Sequence, residues 1–134
     1  MIIVPLFSFF CDISKAFDRV WHAGSLLKLK AYGINDKLYQ WFKSYISDRK
    51  QGVFIGDAKS PLKYTNSGVP QGSVPGPLLF LLYVNDIADN LISLSMLFAD
   101  YTSLSYSSPS LYTIENIFNC DLETLANWSE QWLV

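Results

Sequence analysis

Phe98-Ala99-Asp100-Tyr101 constrains this chain more than any other stretch. Leu94-Ser95-Met96-Leu97-Phe98-Ala99 leads into an aspartate, and Tyr101-Thr102-Ser103-Leu104-Ser105-Tyr106 follows at once. Two β-prone segments with almost nothing between them predict a tight hairpin, Leu94–Ala99 against Thr102–Tyr106, with Asp100 at its tip. Asp12 follows a second apolar run, Leu6-Phe7-Ser8-Phe9-Phe10-Cys11, and is expected at the end of a buried strand spanning Ile3–Cys11. Taken singly, each aspartate has an ordinary reading, Asp12 as a helix cap and Asp100 as a turn residue. Asp18 lies six residues past Asp12, inside a short predicted helix, and is expected to be structural or solvent-facing.

Between the two aspartates lies Gly68-Val69-Pro70-Gln71-Gly72-Ser73-Val74-Pro75-Gly76-Pro77-Leu78-Leu79-Phe80. Pro70-Gln71-Gly72 alone say only that the chain turns; the longer run is far more specific. If Ser73 caps the next helix, Pro75 falls in its first turn, where a missing N–H is harmless.

In this order, Asp12-Ile13-Ser14-Lys15-Ala16-Phe17-Asp18, the Gln71-Gly72 run and Phe98-Ala99-Asp100-Tyr101 resemble the reverse transcriptase domain (RNA-directed DNA polymerase) of non-LTR, LINE-type, jockey-like retrotransposons. The resemblance runs from about Phe9 to the last residue. It implies an α+β polymerase palm, a small antiparallel sheet with helices packed on one face. Residues 1–134 would form one partial palm domain, with fingers and thumb missing. It also implies that Asp12 and Asp100 are catalytic metal ligands, joined by the backbone carbonyl of Ile13, and that two Mg²⁺ (or Mn²⁺) ions are the cofactors. Phe17 would lie under the sugar of the incoming nucleotide and exclude a 2′-hydroxyl. Gln71 and Gly72 would lie against the nucleotide and the template base. The implied partners are an RNA template, a DNA primer and deoxynucleotides.

Two residues depart from the family pattern. Pro75 stands where the family usually has leucine, and Tyr101 stands where its box reads Phe-Ala-Asp-Asp. The second departure matters to the chemistry. Nucleotidyl transfer uses two divalent ions roughly 3.5–4 Å apart. Two such charges repel by on the order of 15–20 kcal/mol at an effective dielectric near 20. Converging carboxylates offset that repulsion, and a phenol, neutral near pH 7 and a poor ligand for Mg²⁺, does not. Activity is therefore expected to fall by several orders of magnitude. Two functions stay open on the sequence: an impaired RNA-directed DNA polymerase, or a non-catalytic remnant that at most binds RNA or a protein.

Half of the 134 residues are hydrophobic, enough for one substantial core. The charges segregate. Residues 1–63 hold all ten Lys and Arg against five acids, a net +5; residues 64–134 hold seven acids and no base, a net −7. A stand-alone polymerase normally presents a basic channel, which an overall −2 does not supply. Lys28, Lys30, Lys37, Lys43, Arg49 and Lys50 interleave with Tyr32, Tyr39, Trp41, Phe42 and Tyr45, compatible with a nucleic-acid surface. The competing reading is an amphipathic helix burying Leu38, Trp41, Phe42, Tyr45 and Ile46.

Further helices are expected over Ala16–Tyr32, Asp36–Ser47, Gly76–Ala88 and from Ser110 onward, with Gln51–Ile55 and Leu62–Asn66 as a hairpin pair. Cys11 and Cys120 form no metal-ligand spacing and read as two reduced core thiols. His22 reads as a helix-surface or capping residue. The apolar start lacks a basic n-region and a cleavage site, and no segment is long enough to cross a bilayer, so an intracellular protein, nuclear or cytoplasmic, is expected.

Overall fold

The computed structural model describes residues 4–134; Ile3, the expected start of the first strand, lies outside them. In chain order the elements are β1 (Leu6–Asp12), α1 (Ala16–Arg19), α2 (His22–Ala31), α3 (Asp36–Ile46), β2 (Lys50–Gln51), β3 (Phe54–Ile55), β4 (Ala58–Lys59), β5 (Lys63–Tyr64), α4 (Pro75–Val84), β6 (Leu94–Phe98), β7 (Tyr101–Ser107) and α5 (Leu111–Trp132). This is an α+β chain with small antiparallel sheets, and it divides into two compact units.

The first unit comprises the residues up to Ala16 together with Val84–Val134. Its sheet has the order β1-β7-β6, antiparallel throughout. Because side chains alternate along a strand, one face carries Phe9, Cys11, Thr102 and Leu104. Against that face packs α5: Leu104, Ile114 and Phe118 form a buried cluster, and the rings of Phe9 and Phe118 lie 5.7 Å apart. The opposite face carries Leu6, Phe10, Leu94, Met96 and Phe98, all exposed. The expectation that β1 is buried is therefore corrected. It is an edge strand of a three-stranded sheet, and α5 covers one side only.

Asp121, in the middle of α5, is fully buried, at 0% exposure. Its carboxylate accepts from the backbone N–H groups of Ile92 (2.8 Å) and Ser93 (2.9 Å), and from the Ser93 hydroxyl. These bonds anchor the segment that enters β6 to the middle of α5. At the start of α5, the Ser110 side chain accepts from the Thr113 N–H (3.3 Å), an N-cap.

The second unit is Phe17–Tyr83. Its buried residues include Val20, Leu29, Phe42, Ile46, Val69, Leu79 and Phe80. The expected single helix over Ala16–Tyr32 is broken at Val20-Trp21, because both residues pair with an extended segment. Trp21 bridges Ser67, and the Val20 carbonyl accepts from the Gly68 N–H (2.9 Å). Gly68 has φ +87, and a Cβ there would meet the Asp18 carbonyl at 3.2 Å, so glycine is required for the pairing. His22 is buried rather than surface-lying: its Nε2 is 2.8 Å from the Gly68 carbonyl and must carry the hydrogen, since a carbonyl only accepts.

The predicted hairpin pair is present with altered pairing. Lys50 and Gln51 oppose Tyr64 and Lys63, whereas Phe54 and Ile55 oppose Lys59 and Ala58. Between the two ladders two residues, Gly52 and Val53, stand against three, Ser60, Pro61 and Leu62, and Pro61 has no N–H to donate. α4 ends at Val84, four residues short of expectation, and turns follow. Cys120 is exposed, which corrects its reading as a core thiol; Cys11 is half-buried, and burial raises its thiol pKa.

Asp121→Ala would leave two N–H groups and a hydroxyl without their acceptor. We expect a loss of about 2–4 kcal/mol in urea denaturation, with a smaller loss for Ser93→Ala.

Candidate active site

The sheet register fixes the carboxylate end of the first unit. Asp12, the last residue of β1, is directly opposite Tyr101, the first of β7, and Phe98 also pairs with Tyr101. Ala99 and Asp100 form the loop between β6 and β7, with Ala99 in the left-handed region at φ 52. One further backbone bond ties β1 to this tip: the Ile13 N–H donates to the Asp100 carbonyl at 3.0 Å. Asp12 and Asp100 thus stand at adjacent ends of neighbouring strands. Directly paired residues project to the same side, so the Tyr101 phenol, 53% exposed, shares the open face with Asp12. The Ile13 carbonyl turns back and accepts from the Ala16 N–H (3.1 Å).

The chemistry of this donor set limits what it can hold. Among the described residues, no three or more His, Cys, Asp or Glu side chains come together as a metal site. Asp12, Asp100 and one carbonyl are hard oxygen donors suited to one Mg²⁺ or Mn²⁺. They do not fit a pair of ions, because the third position is a phenol.

In the second unit, Phe17, Pro70, Gln71, Gly72 and Pro77 line one open cavity of about 320 Å³. Backbone pairing brings them together: the Val69 N–H donates to the Phe17 carbonyl (2.9 Å), next to the Val20–Gly68 bond. The Phe17 ring rests on the buried Phe80, with centroids 4.7 Å apart. Gly72 has φ +77, and nothing lies within 4 Å of where its Cβ would be, so the backbone there is both left-handed and accessible. The Gln71 amide donates to the exposed Asp18 carboxylate at 3.3 Å, which gives Asp18 a specific contact inside this unit.

Ser73 organises the loop. Its hydroxyl donates to the Pro70 carbonyl (2.6 Å), accepts from the Gly76 N–H (3.1 Å) and accepts from the Tyr45 hydroxyl (2.6 Å). Ser73 therefore does cap the start of α4, as its place before Pro75 predicted. The link to Tyr45 carries no local sequence signal, since 28 residues separate the two. Gly76 belongs to the same cluster, because a Cβ there would come within 2.8 Å of the Ser73 hydroxyl and 2.9 Å of the Pro70 carbonyl.

The basic helix surface is partly dismantled by the structure. Lys28 is buried, and its ammonium donates to the Tyr83 carbonyl at 2.6 Å. On α3 the buried residues are Phe42 and Ile46, while Leu38 and Trp41 are exposed, so the predicted apolar stripe is narrower. Trp41 stacks on Tyr45 (5.6 Å between centroids, 9° between planes), and the Arg49 guanidinium lies 5.9 Å from the same Tyr45 ring.

The helices and small antiparallel sheets give a mixed α+β, palm-like fragment. Residues 6–133 match the family described as reverse transcriptase (RNA-dependent DNA polymerase). The chain belongs to that family. It is 35% identical over 133 residues to the probable RNA-directed DNA polymerase from transposon BS and, over the same length, to that from mobile element jockey, both of Drosophila melanogaster. It is 37% identical over 130 residues to the probable RNA-directed DNA polymerase from transposon X-element of the same fly. Each match covers 93% of this chain and 14–15% of the relative, so the family relation is to non-LTR elements and the chain spans about one seventh of such a protein.

Gly76→Ala is expected to push the Ser73 hydroxyl off the Pro70 carbonyl and to destabilise the chain by about 1–3 kcal/mol in urea denaturation. Tyr45→Phe removes one hydrogen bond without adding bulk, and about 1 kcal/mol is expected.

Proposed function

We propose that residues 1–134 are palm sequence of an RNA-directed DNA polymerase of a non-LTR retrotransposon. Its substrates are deoxynucleotides, an RNA template and a DNA primer, with fingers and thumb contributed from outside these residues. The observation that carries the reading is the cavity in which Phe17, Gln71 and Gly72 share one wall system. Its volume is at the lower end of the roughly 300–1,000 Å³ usual for small-molecule sites. Phe17 is held on Phe80 and fills the space a 2′-hydroxyl would need. Gln71 offers amide donors and an acceptor, and the bare backbone at Gly72 admits a close approach.

Asp12 and Asp100, with the Ile13 carbonyl, are the groups we assign to a divalent ion, Mg²⁺ or Mn²⁺. When bound, such an ion supplies charge neutralisation at the phosphates. Tyr101 withholds the charge that a second ion needs, and we therefore read transfer as slowed by several orders of magnitude. No helix among the described residues is long and apolar enough to cross a membrane. A polymerase copying RNA into DNA belongs in the nucleus or cytoplasm, and we place this one there.

Calorimetric titration of Mn²⁺ into the chain and into Tyr101→Asp tests the assignment. We expect at least a tenfold tighter constant for Tyr101→Asp; equal binding would show that Tyr101 does not weaken the site, and binding by neither protein would show that Asp12 and Asp100 do not converge on an ion. At the nucleotide seat, Phe17→Ala should lower the preference for a fluorescent deoxynucleotide over the matching ribonucleotide by about tenfold. An unchanged ratio would remove Phe17 from the sugar contact.

A further inference from the structure

The hairpin formed by β2, β3, β4 and β5 is used by neither the carboxylates nor the nucleotide cavity. Its sequence, Arg49 to Tyr64, carries Arg49, Lys50, Lys59 and Lys63 against one acid, Asp57, a net +3 in sixteen residues. Val53, Phe54, Ile55, Leu62 and Tyr64 are all exposed, with Phe54 and Tyr64 each at 66%. A two-stranded ribbon has no covered face of its own, and these apolar groups stay mostly exposed to water.

The placement of lysines and rings is specific. Lys50 is directly opposite Tyr64, and its ammonium lies 4.4 Å from that ring's centroid. Lys59 is directly opposite Phe54, with its ammonium 5.0 Å from the ring. Each cation and its ring therefore project from the same side of the ribbon. The ammonium occupies only part of each ring, and both rings stay mostly exposed. Positions 50 and 54 are four residues apart, roughly 13 Å at 3.3 Å per residue. Between the two pairs, Gln51, Gly52, Val53, Ser60, Pro61 and Lys63 line an open groove of about 570 Å³.

We propose that this hairpin is a contact site for single-stranded nucleic acid. Rings that stand free can stack on unpaired bases, and an ammonium beside each ring is placed for the adjoining phosphate. A protein partner is disfavoured by the charge, since a polyanion matches four cations far better than a mixed surface does. The proposal is independent of the nucleotide seat: it concerns holding a strand, and its test contains neither nucleotide nor metal.

The test is fluorescence anisotropy of short labelled oligouridylate and oligothymidylate with the full chain, across a salt series. Phe54→Ala with Tyr64→Ala is expected to weaken binding at least tenfold while leaving the salt dependence unchanged. Phe54→Trp with Tyr64→Phe keeps the rings and should bind as the native chain does, which separates loss of stacking from misfolding. Lys50→Gln, Lys59→Gln and Lys63→Gln together should make the log–log salt slope shallower by about 2, at roughly 0.7 per phosphate. Affinity unchanged within twofold in the alanine pair would overturn the proposal. So would sedimentation showing that the native chain self-associates and that the alanine pair abolishes it, since the hairpin would then bind a second copy.

Discussion

The backbone ladder between β1 and β7 is the interaction on which the carboxylate site depends. Seven consecutive pairs run from Leu6–Ser107 to Asp12–Tyr101, and the Ile13 N–H then extends the contact to the Asp100 carbonyl. A slip of one residue would turn Asp12 to the α5 side and Cys11 to the open side. The α5 side forbids this, because it already holds Leu104 at 0% exposure against Ile114 and Phe118. Apolar packing on one face of the sheet therefore dictates which polar groups stand on the other. Asp121 supports the same register from a distance by fixing Ile92 and Ser93 at the entry to β6.

That register also makes Tyr101 consequential. A substitution in a loose loop could be bypassed by neighbouring carboxylates. Tyr101 is the first residue of β7 and is paired with both Asp12 and Phe98, so the backbone position is fully determined and only the side chain has changed. On the assignment proposed above, the frame offers two carboxylates, Asp12 and Asp100, and a phenol. A carboxylate restored at this position would face the same way as the phenol, so the sheet needs no rearrangement to accept it.

Much of this was legible in the sequence, for identifiable reasons. The β6–β7 hairpin, α3, and the start of α5 at Ser110 follow from local periodicity and capping, which act over a few residues. The α4 start was readable because Ser73 and Pro75 are local signals. What escaped depends on partners far along the chain. Val20 and Trp21 look helical until Ser67 and Gly68 pair with them. Lys28 looks like a surface cation until the Tyr83 carbonyl is placed beside it, 55 residues on. Asp121 stands at helical spacing with Ile114, Phe118 and Leu125, and that spacing is a signal in itself. A carboxylate among apolar neighbours must find donors, and the N–H groups before an edge strand are where donors are free.

Charge divides along the same line as the two units. Phe17–Tyr83 contains nine Lys and Arg against four acids, a net +5, whereas the other unit has Lys15 alone against eight acids, a net −7. Phosphate binding in a chain of this composition has to be carried by the first of these. Lys28 is withdrawn into the interior, and Arg19 on α1 and Lys30 on α2 are exposed singly, so the exposed cations gather on α3 and the β2–β5 hairpin. On α3 the stacked Trp41 and Tyr45 are already engaged with each other, and Tyr45 is committed to Ser73. Each hairpin ring has a lysine beside it and is 66% exposed. Of the two elements, the hairpin is therefore the one whose aromatic surface is available to a base, and a strand held there relies on stacking as well as on charge.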